Sequence, residues 1–499
     1  MNNSEISRNI FFWTLVVLFW LVSAIIIGYT FGYRFSFDRG VFVYAGSITL
    51  KTTPQKVDIY LNGTLMPSPS FSMINSSYHL NGIAPGEYLV EVKSPDHQTW
   101  SKKATVHSGI STELWNVILV QNSYEHENYD SAGIQRFFIS PRKNLTAFAQ
   151  QNGDEFAVKI LDPGTLEVSP VFSSTEYVFT DNNKENIEWT PEANRLIVPV
   201  LKDGEKNYLI ITASTKEVLD LNSLAETNSL SHVRWDPKSK DVLYFMSDNN
   251  LYRMDLNAPQ DKKLVAENIA GYDLSKKALY YFQLPEGIVY KTSFDAVDTP
   301  QQITTSAPDD MSDDSYQIIV YDDDRIVFLN NKNHNLYIFN RGEEDTYFKK
   351  LSSSAQGSQF SDDGKKLLYW SDREIFTYFV RKWEEQPART ENEMMQITSL
   401  TDQIKNVQWT RDYEHVLFTN DNKIKMIEID NRDHRNMMDV ISLSDNDSII
   451  ENNFADGRIY YIDKDDQQQN ILHSMYFPEY TTLLQGIFPS QSTAAETTN

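Results

Sequence analysis

The sequence predicts an all-β protein with one N-terminal transmembrane helix, and three observations support this prediction. Residues 10–31 are apolar and carry no charged side chain. From about residue 46 onward, short apolar runs alternate with clusters of Gly, Pro, Asn and Asp, which is typical of strands and turns. Further along the chain, a pattern of an aromatic residue, a turn and an apolar strand recurs about every 45 residues, which indicates a repeat architecture.

The apolar stretch sets the expected location. As a helix, residues 10–31 are long enough to cross the ~30 Å hydrocarbon core of a membrane. A cleaved signal peptide is the alternative, but the apolar run is too long for one and no small-residue cleavage site follows it. We therefore predict a short cytoplasmic N-terminus (1–9), a transmembrane helix (10–33) and a single-pass protein of the cell membrane. Arginines lie on both sides of the run, so they do not decide the orientation. Only nine residues precede the helix, so we predict that most of the chain lies outside the cytoplasm.

The next stretch, residues 46–120, predicts a small β-sandwich. Its strands alternate apolar and polar residues, and Asn62-Gly63 and Pro85-Gly86 are turn dipeptides between them. This stretch resembles the PEGA domain, an extracytoplasmic β-sandwich module of bacterial surface proteins. The matching positions are Gly46, Ser47, Ile48, Pro54, residues 59–63, residues 83–88, Trp100 and Leu119. The match departs at the name-giving tetrapeptide, of which residues 54–57 keep only the proline. The resemblance implies surface display or spacing and brings no chemistry with it.

The remaining folded sequence, residues 124–488, predicts a β-propeller. Four aromatic residues are each followed eight positions later by Ile or Leu in a short strand: Trp189, Trp235, Phe360 and Trp409. We expect these aromatics to be buried where the inner strand of each blade meets its first turn. A period near 45 with four strands per repeat gives eight blades, with seven as the alternative because two copies are degenerate.

Two further predictions concern the end of the chain and the relatives of the repeat. Residues 481–487 are expected to supply an outer strand that closes the ring, since an open ring would expose a sheet edge. Residues 489–499 are expected to form a disordered tail. The repeat around Phe360 resembles those of TolB-like and WD-repeat-like propellers and of the propellers attached to prolyl oligopeptidases. That resemblance implies the fold and does not indicate a function.

Composition and motifs favour a protein without enzymatic activity. Asp and Glu number 69 against 45 Lys and Arg, giving a net charge of −24, so nucleic acid is not an expected partner. The absence of cysteine excludes disulfides, cysteine nucleophiles and thiolate metal sites. The chain contains neither the Gly-x-Ser-x-Gly turn of serine hydrolases nor the His-Glu-x-x-His pair of zinc enzymes.

Two features are candidates for binding. The loop before one blade carries the acidic residues Asp309, Asp310, Asp313 and Asp314, and strand order brings His334 to the same end of the ring. Hard cations such as Ca²⁺ take oxygen ligands of this kind, so a cation-assisted contact is one hypothesis and a solubilising acidic loop is the other. The second feature is a polar insertion, residues 381–394, in which Trp383 is a candidate contact residue and simple flexibility is the alternative.

The leading interpretation is a membrane-anchored extracytoplasmic binding or scaffold protein of the bacterial cell envelope. In it, the propeller binds an envelope protein or a cell-wall polymer, with no cofactor unless Ca²⁺ takes part. The alternative is a propeller enzyme that acts on an envelope polysaccharide through acidic residues. An enzyme of that kind would place two carboxylates in one pocket about 5 to 10 Å apart.

Overall fold

The computed structural model describes residues 3–36, 40–67, 69–72, 75–141, 145–180, 187–305, 307–308, 310–312, 314–343 and 345–477. It contains an N-terminal helix, a two-stranded hairpin, a small sandwich and a β-propeller, which confirms the predicted all-β class with one N-terminal apolar helix. The predicted closing segment 481–487 and the predicted tail lie outside the described residues.

The N-terminal helix spans Asn3–Thr30, and its segment Phe11–Thr30 is long and apolar enough to cross a membrane. The helix ends before the predicted boundary at residue 33. Gly32 takes the left-handed conformation (φ +91°), which favours glycine and commonly ends helices. Strands Tyr33–Ser36 and Val41–Tyr44 follow at once and pair as an antiparallel hairpin.

The small domain is a sandwich of two four-stranded sheets. One sheet contains, in spatial order, Ser111–Ile118, Gly46–Thr53, Ser77–Ile83 and Ser70–Ser72. The other contains Thr64–Leu65, Asp58–Leu61, Gly86–Lys93 and Trp100–Val106. Alternate residues of the central strands face inward, as the two-residue period of a strand requires, so Leu50 and Val92 are fully buried.

Eight antiparallel sheets follow one another along the rest of the described chain, and we number them blades 1 to 8. In blades 1 to 7 the strands pair in sequence order, so that the first strand is innermost and the fourth is outermost. Blade 1 contains Ile134–Ile139, Thr146–Asn152, Glu155–Asp162 and Glu167–Ser174. Blade 2 has a first strand in two segments, Tyr177–Phe179 and Glu188–Trp189, and then Arg195–Lys202, Glu205–Thr212 and Val218–Asp220. Blade 3 contains Leu230–Trp235, Val242–Ser247, Asn250–Asp255 and Lys263–Ala266.

The second half of the ring repeats the arrangement. Blade 4 contains Ile269–Leu274, Leu279–Gln283, Ile288–Thr292 and Gln301–Gln302. Blade 5 contains Tyr316–Asp322, Arg325–Asn330, Leu336–Arg341 and Thr346–Ser352. Blade 6 contains Gly357–Phe360, Lys366–Trp370, Glu374–Phe379 and Met394–Ser399. Blade 7 contains Lys405–Trp409, His415–Asn420, Lys423–Glu428 and Met437–Ser442. Blade 8 contains Ile450–Asn453, Arg458–Lys464 and Asn470–Tyr476. A short α-helix (Leu221–Ala225) and a 3₁₀ turn (Pro259–Asp261) complete the described helices and strands apart from the closing strand.

The closing strand of blade 8 is the short segment Glu127–Asn128, which pairs with Asn470–Tyr476. Within the described residues, the start of the propeller chain therefore supplies the outer strand of this blade. Side chains strengthen this join, because Arg458 of blade 8 forms an ion pair with Glu127. The guanidinium group of Arg458 lowers the pKa of the Glu127 carboxyl.

The repeat aromatics connect neighbouring blades. Trp189, Trp235 and Trp409 are buried, as predicted, whereas Phe360 is only half-buried. The indole N–H of Trp235 donates to the carbonyl oxygen of Glu188 in the previous blade (3.1 Å), and that of Trp409 donates to Gln359 in the same way (3.2 Å). Each of the three tryptophans is thus buried while its indole N–H is hydrogen-bonded to the previous blade.

The sandwich docks on one end of the propeller through a buried ion pair. The side chain of Lys102, on the last strand of the sandwich's second sheet, is fully buried. Its Nζ lies 2.7 Å from Oε1 of Glu428, at the end of the third strand of blade 7. Trp100 donates its indole N–H to the other oxygen of Glu428 (3.1 Å), and Asn436 donates its backbone and side-chain N–H groups to Oε1. A charge pair this completely hydrogen-bonded fixes the relative position of the two domains.

The insertion 381–394 belongs to the same interface. It connects the third and fourth strands of blade 6 and folds back on itself, with paired backbone hydrogen bonds between Trp383 and Arg389 (2.9 and 3.0 Å). Gln386 at its tip accepts from the backbone N–H of Glu113 (3.0 Å) and donates to the carbonyl of Ser111 (2.9 Å) in the sandwich. The tip of the insertion is therefore bonded to the sandwich, which supports a contact role for this segment.

Candidate binding site in the propeller channel

The first strands of six blades line one cavity of about 620 Å³ on the propeller axis. Its lining includes Phe138 of blade 1, Tyr272 of blade 4, Gln317 of blade 5 and Glu451 of blade 8. The volume falls in the range of small-molecule sites, and the lining combines aromatic rings with polar and charged groups. The channel is therefore a candidate binding site for a small molecule or for part of a larger ligand.

A chain of three charged groups crosses one side of the channel. Arg234 of blade 3 lies between Glu188 of blade 2 (2.8 Å) and Asp273 of blade 4 (3.2 Å). Water still reaches 42 % of the Arg234 side chain. The Glu188 carboxylate is the main cause of a raised pKa at Arg234, and Asp273 adds to it. Burial raises the pKa of Glu188 itself, against the opposing effect of Arg234.

These carboxylates also hold the blades together. Glu188 accepts the backbone N–H of Trp235 in the next blade (3.1 Å), and Asp273 accepts that of Val320 (2.8 Å). Gln359 of blade 6 does the same for Trp409 (3.1 Å). Because three blades use the same contact, we infer that Glu188 and Asp273 mainly stabilise the packing between blades. Their carboxylates are paired with Arg234 and with backbone N–H groups.

Glu451 differs from the other channel carboxylates. It lies on the first strand of blade 8, and burial raises its pKa to about 7. Arg136 of blade 1 opposes this shift but does not cancel it. A carboxyl group with this pKa is largely protonated at slightly acidic pH, so it can donate a hydrogen bond or a proton to a ligand in the channel.

The acidic loop predicted as a binding site lies elsewhere. Asp309 and Asp313 are outside the described residues. Asp310 lies 3.8 Å from Lys350, and Asp314 lies 3.6 Å from Lys332, so both described carboxylates face lysines. The hydroxyl of Ser312 is the main cause of a lowered pKa at Asp314.

The structure separates the remaining predicted site residues. His334 is half-buried in the turn between the second and third strands of blade 5, with φ +59°, at the end of the ring where the acidic loop also lies. Trp383 lies at the other end, half-buried beneath Lys366, whose Nζ is 4.0 Å from the ring centroid. Within the described residues, no group of three or more His, Cys, Asp or Glu side chains is placed to hold a metal ion.

Sequence reasoning missed the channel residues, although a signal was present. The residue just before a repeat aromatic is polar at Glu188, Arg234, Gln359 and Gln408. Because side chains alternate along a strand, the residue beside a buried aromatic points to the opposite face. The repeat alignment therefore identifies the residue before each repeat aromatic as one whose side chain faces the propeller axis or the next blade.

No protein-family model and no curated protein sequence matches the chain. Solved structures with similarity include an oligogalacturonate lyase in complex with manganese, at 14 % identity and TM-score 0.39, covering 72 % of this chain and 98 % of that one. The oligogalacturonate lyase of Vibrio parahaemolyticus matches at 11 % identity and TM-score 0.38, covering 72 % of this chain and 99 % of that one. A eukaryotic initiation factor matches at 12 % identity and TM-score 0.44, covering 72 % of this chain and 92 % of that one. Similarity at this level does not transfer an activity between proteins.

Proposed function

We propose that the protein is a membrane-anchored binding or scaffold protein of the cell envelope, in which a PEGA-like sandwich holds one end of a β-propeller and the other end faces an envelope protein or a cell-wall polymer. The N-terminal helix provides the attachment, and the bulk of the chain lies outside the cytoplasm. The net charge of −24 argues against anionic surfaces as ligands of the propeller.

The observation that supports this proposal is that the sandwich contacts loops at one end of the propeller. Successive strands of a blade run in opposite directions, so the loops between third and fourth strands share one end of the ring. The sandwich contacts two of these loops, in the insertion 381–394 and at Asn436. The opposite end carries the connections between blades and the turns between second and third strands. We call it the free end, and Asp310, Asp314 and His334 lie there.

Crosslinking from each end tests the proposal. The chain has no cysteine, so single-cysteine variants of the full protein can carry a photo-crosslinker at one chosen position. Asn333→Cys places it at an exposed residue of the free end, and Lys382→Cys places it at the sandwich end, where the lysine side chain is 60 % exposed. In intact cells, an envelope protein or polymer should crosslink to position 333 and not to position 382. Equal labelling from both positions, or none from 333, would refute a ligand at the free end.

The second candidate function is a propeller enzyme that acts on an envelope polysaccharide. The observation in its favour is that Glu188 and Glu451 line one cavity, and that the pKa of Glu451 is raised to about 7, which suits a general acid. The pairing of Glu188 with Arg234 argues against it, since a catalytic base needs a free carboxylate. If the enzyme candidate is right, purified protein should depolymerise isolated envelope polysaccharide and Glu451→Gln should abolish this activity. The same end products from both proteins would exclude Glu451 as the acid.

A further inference from the structure

The hairpin that follows the N-terminal helix has one face made of aromatic side chains. In its register Tyr33 pairs with Tyr44 and Phe35 pairs with Phe42. Paired residues and residues two apart along a strand lie on the same face, so all four rings share one side of the hairpin. The rings contact each other in pairs, with centroids 5.5 Å apart for the tyrosines and 5.2 Å apart for the phenylalanines.

This aromatic face is exposed in the described structure. Phe42 is 65 % exposed, and the other three rings are between 43 and 49 % exposed. Exposed single apolar residues are common on proteins, but four adjacent aromatic rings on a two-stranded hairpin are a contiguous apolar patch. A two-stranded hairpin is also marginally stable in water by itself, so another surface is expected to support it.

Arg34, on the opposite face of the hairpin, connects the hairpin to the helix end and to the sandwich. Arg34 donates to the carbonyl oxygen of Tyr29 (2.8 Å) near the end of the helix, and its guanidinium group stacks on the Tyr29 ring at 3.5 Å. It also lies against Gly82 of the sandwich, where φ is +75° and an added Cβ would meet the guanidinium group at 2.8 Å. The hairpin is thus held between the helix end and the sandwich, with its aromatic face turned away from Arg34.

The position along the chain identifies what covers that face. The apolar segment Phe11–Thr30 fits the hydrocarbon core, because about 20 helical residues span ~30 Å. Tyr33 follows Thr30 by three residues, which at most ~3.6 Å each reach about 10 Å beyond the core. The headgroup layer occupies the first ~5 to 8 Å beyond the core, so it lies within this reach, and aromatic side chains are enriched there.

We infer that the aromatic face of the hairpin, formed by Tyr33, Phe35, Phe42 and Tyr44, lies in the lipid headgroup layer and is a second membrane contact besides the helix. This inference rests on the proposed membrane attachment and specifies its geometry. The contact holds the sandwich next to the bilayer surface, since Ala45 and Gly109 are joined by a backbone hydrogen bond (3.2 Å) directly after the hairpin.

Quenching by lipids of known depth tests the inference in the full protein. Three single-cysteine variants carry the same environment-sensitive fluorophore in proteoliposomes: Phe42→Cys in the hairpin, Phe19→Cys in the helix and Val297→Cys on the propeller. Phe19 and Val297 are 67 and 70 % exposed, so the controls match Phe42 in accessibility. Quenchers are attached near the headgroup or deep in the acyl chain of the lipid, and iodide is the aqueous quencher.

The label at position 42 should be quenched at least threefold more by the headgroup quencher than the label at position 297, and less by the deep quencher than the label at position 19. If position 19 is not quenched by either lipid, the membrane attachment itself is wrong. If position 19 responds but position 42 behaves like position 297, the attachment stands and the hairpin contact is refuted. Protection of position 42 from all three quenchers would show that protein covers the face and would also refute the inference, as would deep quenching equal to that at position 19.

Discussion

Replacing Glu428 by glutamine should loosen the sandwich from the propeller by about 3 kcal/mol. The change removes the negative charge 2.7 Å from the fully buried Lys102 and leaves the ammonium group with Asp430, whose carboxylate is 3.6 Å away and is shared with Arg432. Removing one member of a buried ion pair typically costs about 3–5 kcal/mol. The remaining contact with Asp430 places the expected cost at the lower end of that range.

Hydrogen bonding adds to the electrostatic cost. Glu428 accepts from Trp100 through one oxygen, and from Lys102 and Asn436 through the other. A glutamine side chain can keep only one of these oxygens, and its NH₂ group then faces an N–H donor. Leaving a buried donor without an acceptor costs about 1–3 kcal/mol, so glutamine does not rescue the interface although it has the shape of glutamate.

Hydrogen exchange in the full protein measures this loss locally. The backbone N–H of Lys103, which donates to Asp433 (3.0 Å), and that of Glu113, which donates to Gln386 (3.0 Å), cross the interface and report on it. A loss of about 3 kcal/mol should speed their exchange by about 100-fold if they open by undocking, since each 1.4 kcal/mol is a factor of ten. Amide groups in the second strand of blade 3 should be unaffected, because they lie in a separate hydrophobic cluster.

Two further variants make the prediction refutable. Glu384→Gln removes an ion pair with Lys382 whose side chains are 78 and 60 % exposed, so it should change exchange by less than about threefold. Adding Lys102→Met to Glu428→Gln should restore most of the protection, because no unpaired charge is then buried. If Glu428→Gln has no larger effect than Glu384→Gln, the ion pair does not hold the two domains together.

Three other predictions follow from the propeller. Trp409→Ala should lower the free energy of unfolding by about 3–5 kcal/mol in denaturant titration, against under about 0.5 kcal/mol for Val297→Ala, which is 70 % exposed; similar losses would contradict the packing described. Because the pKa of Glu451 is raised to about 7 in the folded state, the protein should lose up to about 3 kcal/mol of stability relative to Glu451→Gln as pH rises from about 4.5 through 7, and the difference between the two proteins should stay constant below pH 4.5. Stability profiles that run parallel over the whole pH range would refute the raised pKa. The last prediction concerns the acidic residues Asp309, Asp310, Asp313 and Asp314. Changing all four to asparagine should leave folding nearly unchanged and reduce partner capture at the free end, and unchanged capture with and without chelator would exclude this loop.

The repeat pattern predicted the architecture because it reports local structure. A tryptophan at the end of an inner strand, a turn and an apolar strand are set by neighbouring residues, so Trp235 and Trp409 were identifiable as buried. The outer strand that the structure describes in blade 8, Glu127–Asn128, was not predicted, and the reason is the opposite one. Glu127 and Arg458 are more than 300 positions apart, and nothing local to residues 127–128 distinguishes a closing strand from a linker.

The candidate site illustrates the same limit. The acidic loop was predicted as a binding site because its charges are adjacent in sequence. In the structure, the described carboxylates Asp310 and Asp314 face lysines. The channel charges Glu188, Arg234 and Asp273 are about 40 to 50 positions apart and meet only because the blades are arranged around an axis. Their order could have been inferred from the repeat alignment, but the raised pKa of Glu451 depends on burial, which the sequence does not encode locally.

The contacts from the helix to the propeller form one continuous series, and this determines which end of the ring is available. Arg34 joins the helix end to the sandwich, and Lys102 joins the sandwich to blade 7. The Lys102 joint combines a cation with a carboxylate and a carbonyl acceptor of blade 7, which gives a directional contact rather than a flexible tether. A propeller on a flexible linker would present both ends equally. A propeller fixed at its sandwich end presents only the free end, so loosening the Lys102 joint with Glu428→Gln should broaden crosslinking from position 333 alone to positions 333 and 382. An unchanged crosslinking pattern in that variant would show that the interface does not orient the propeller.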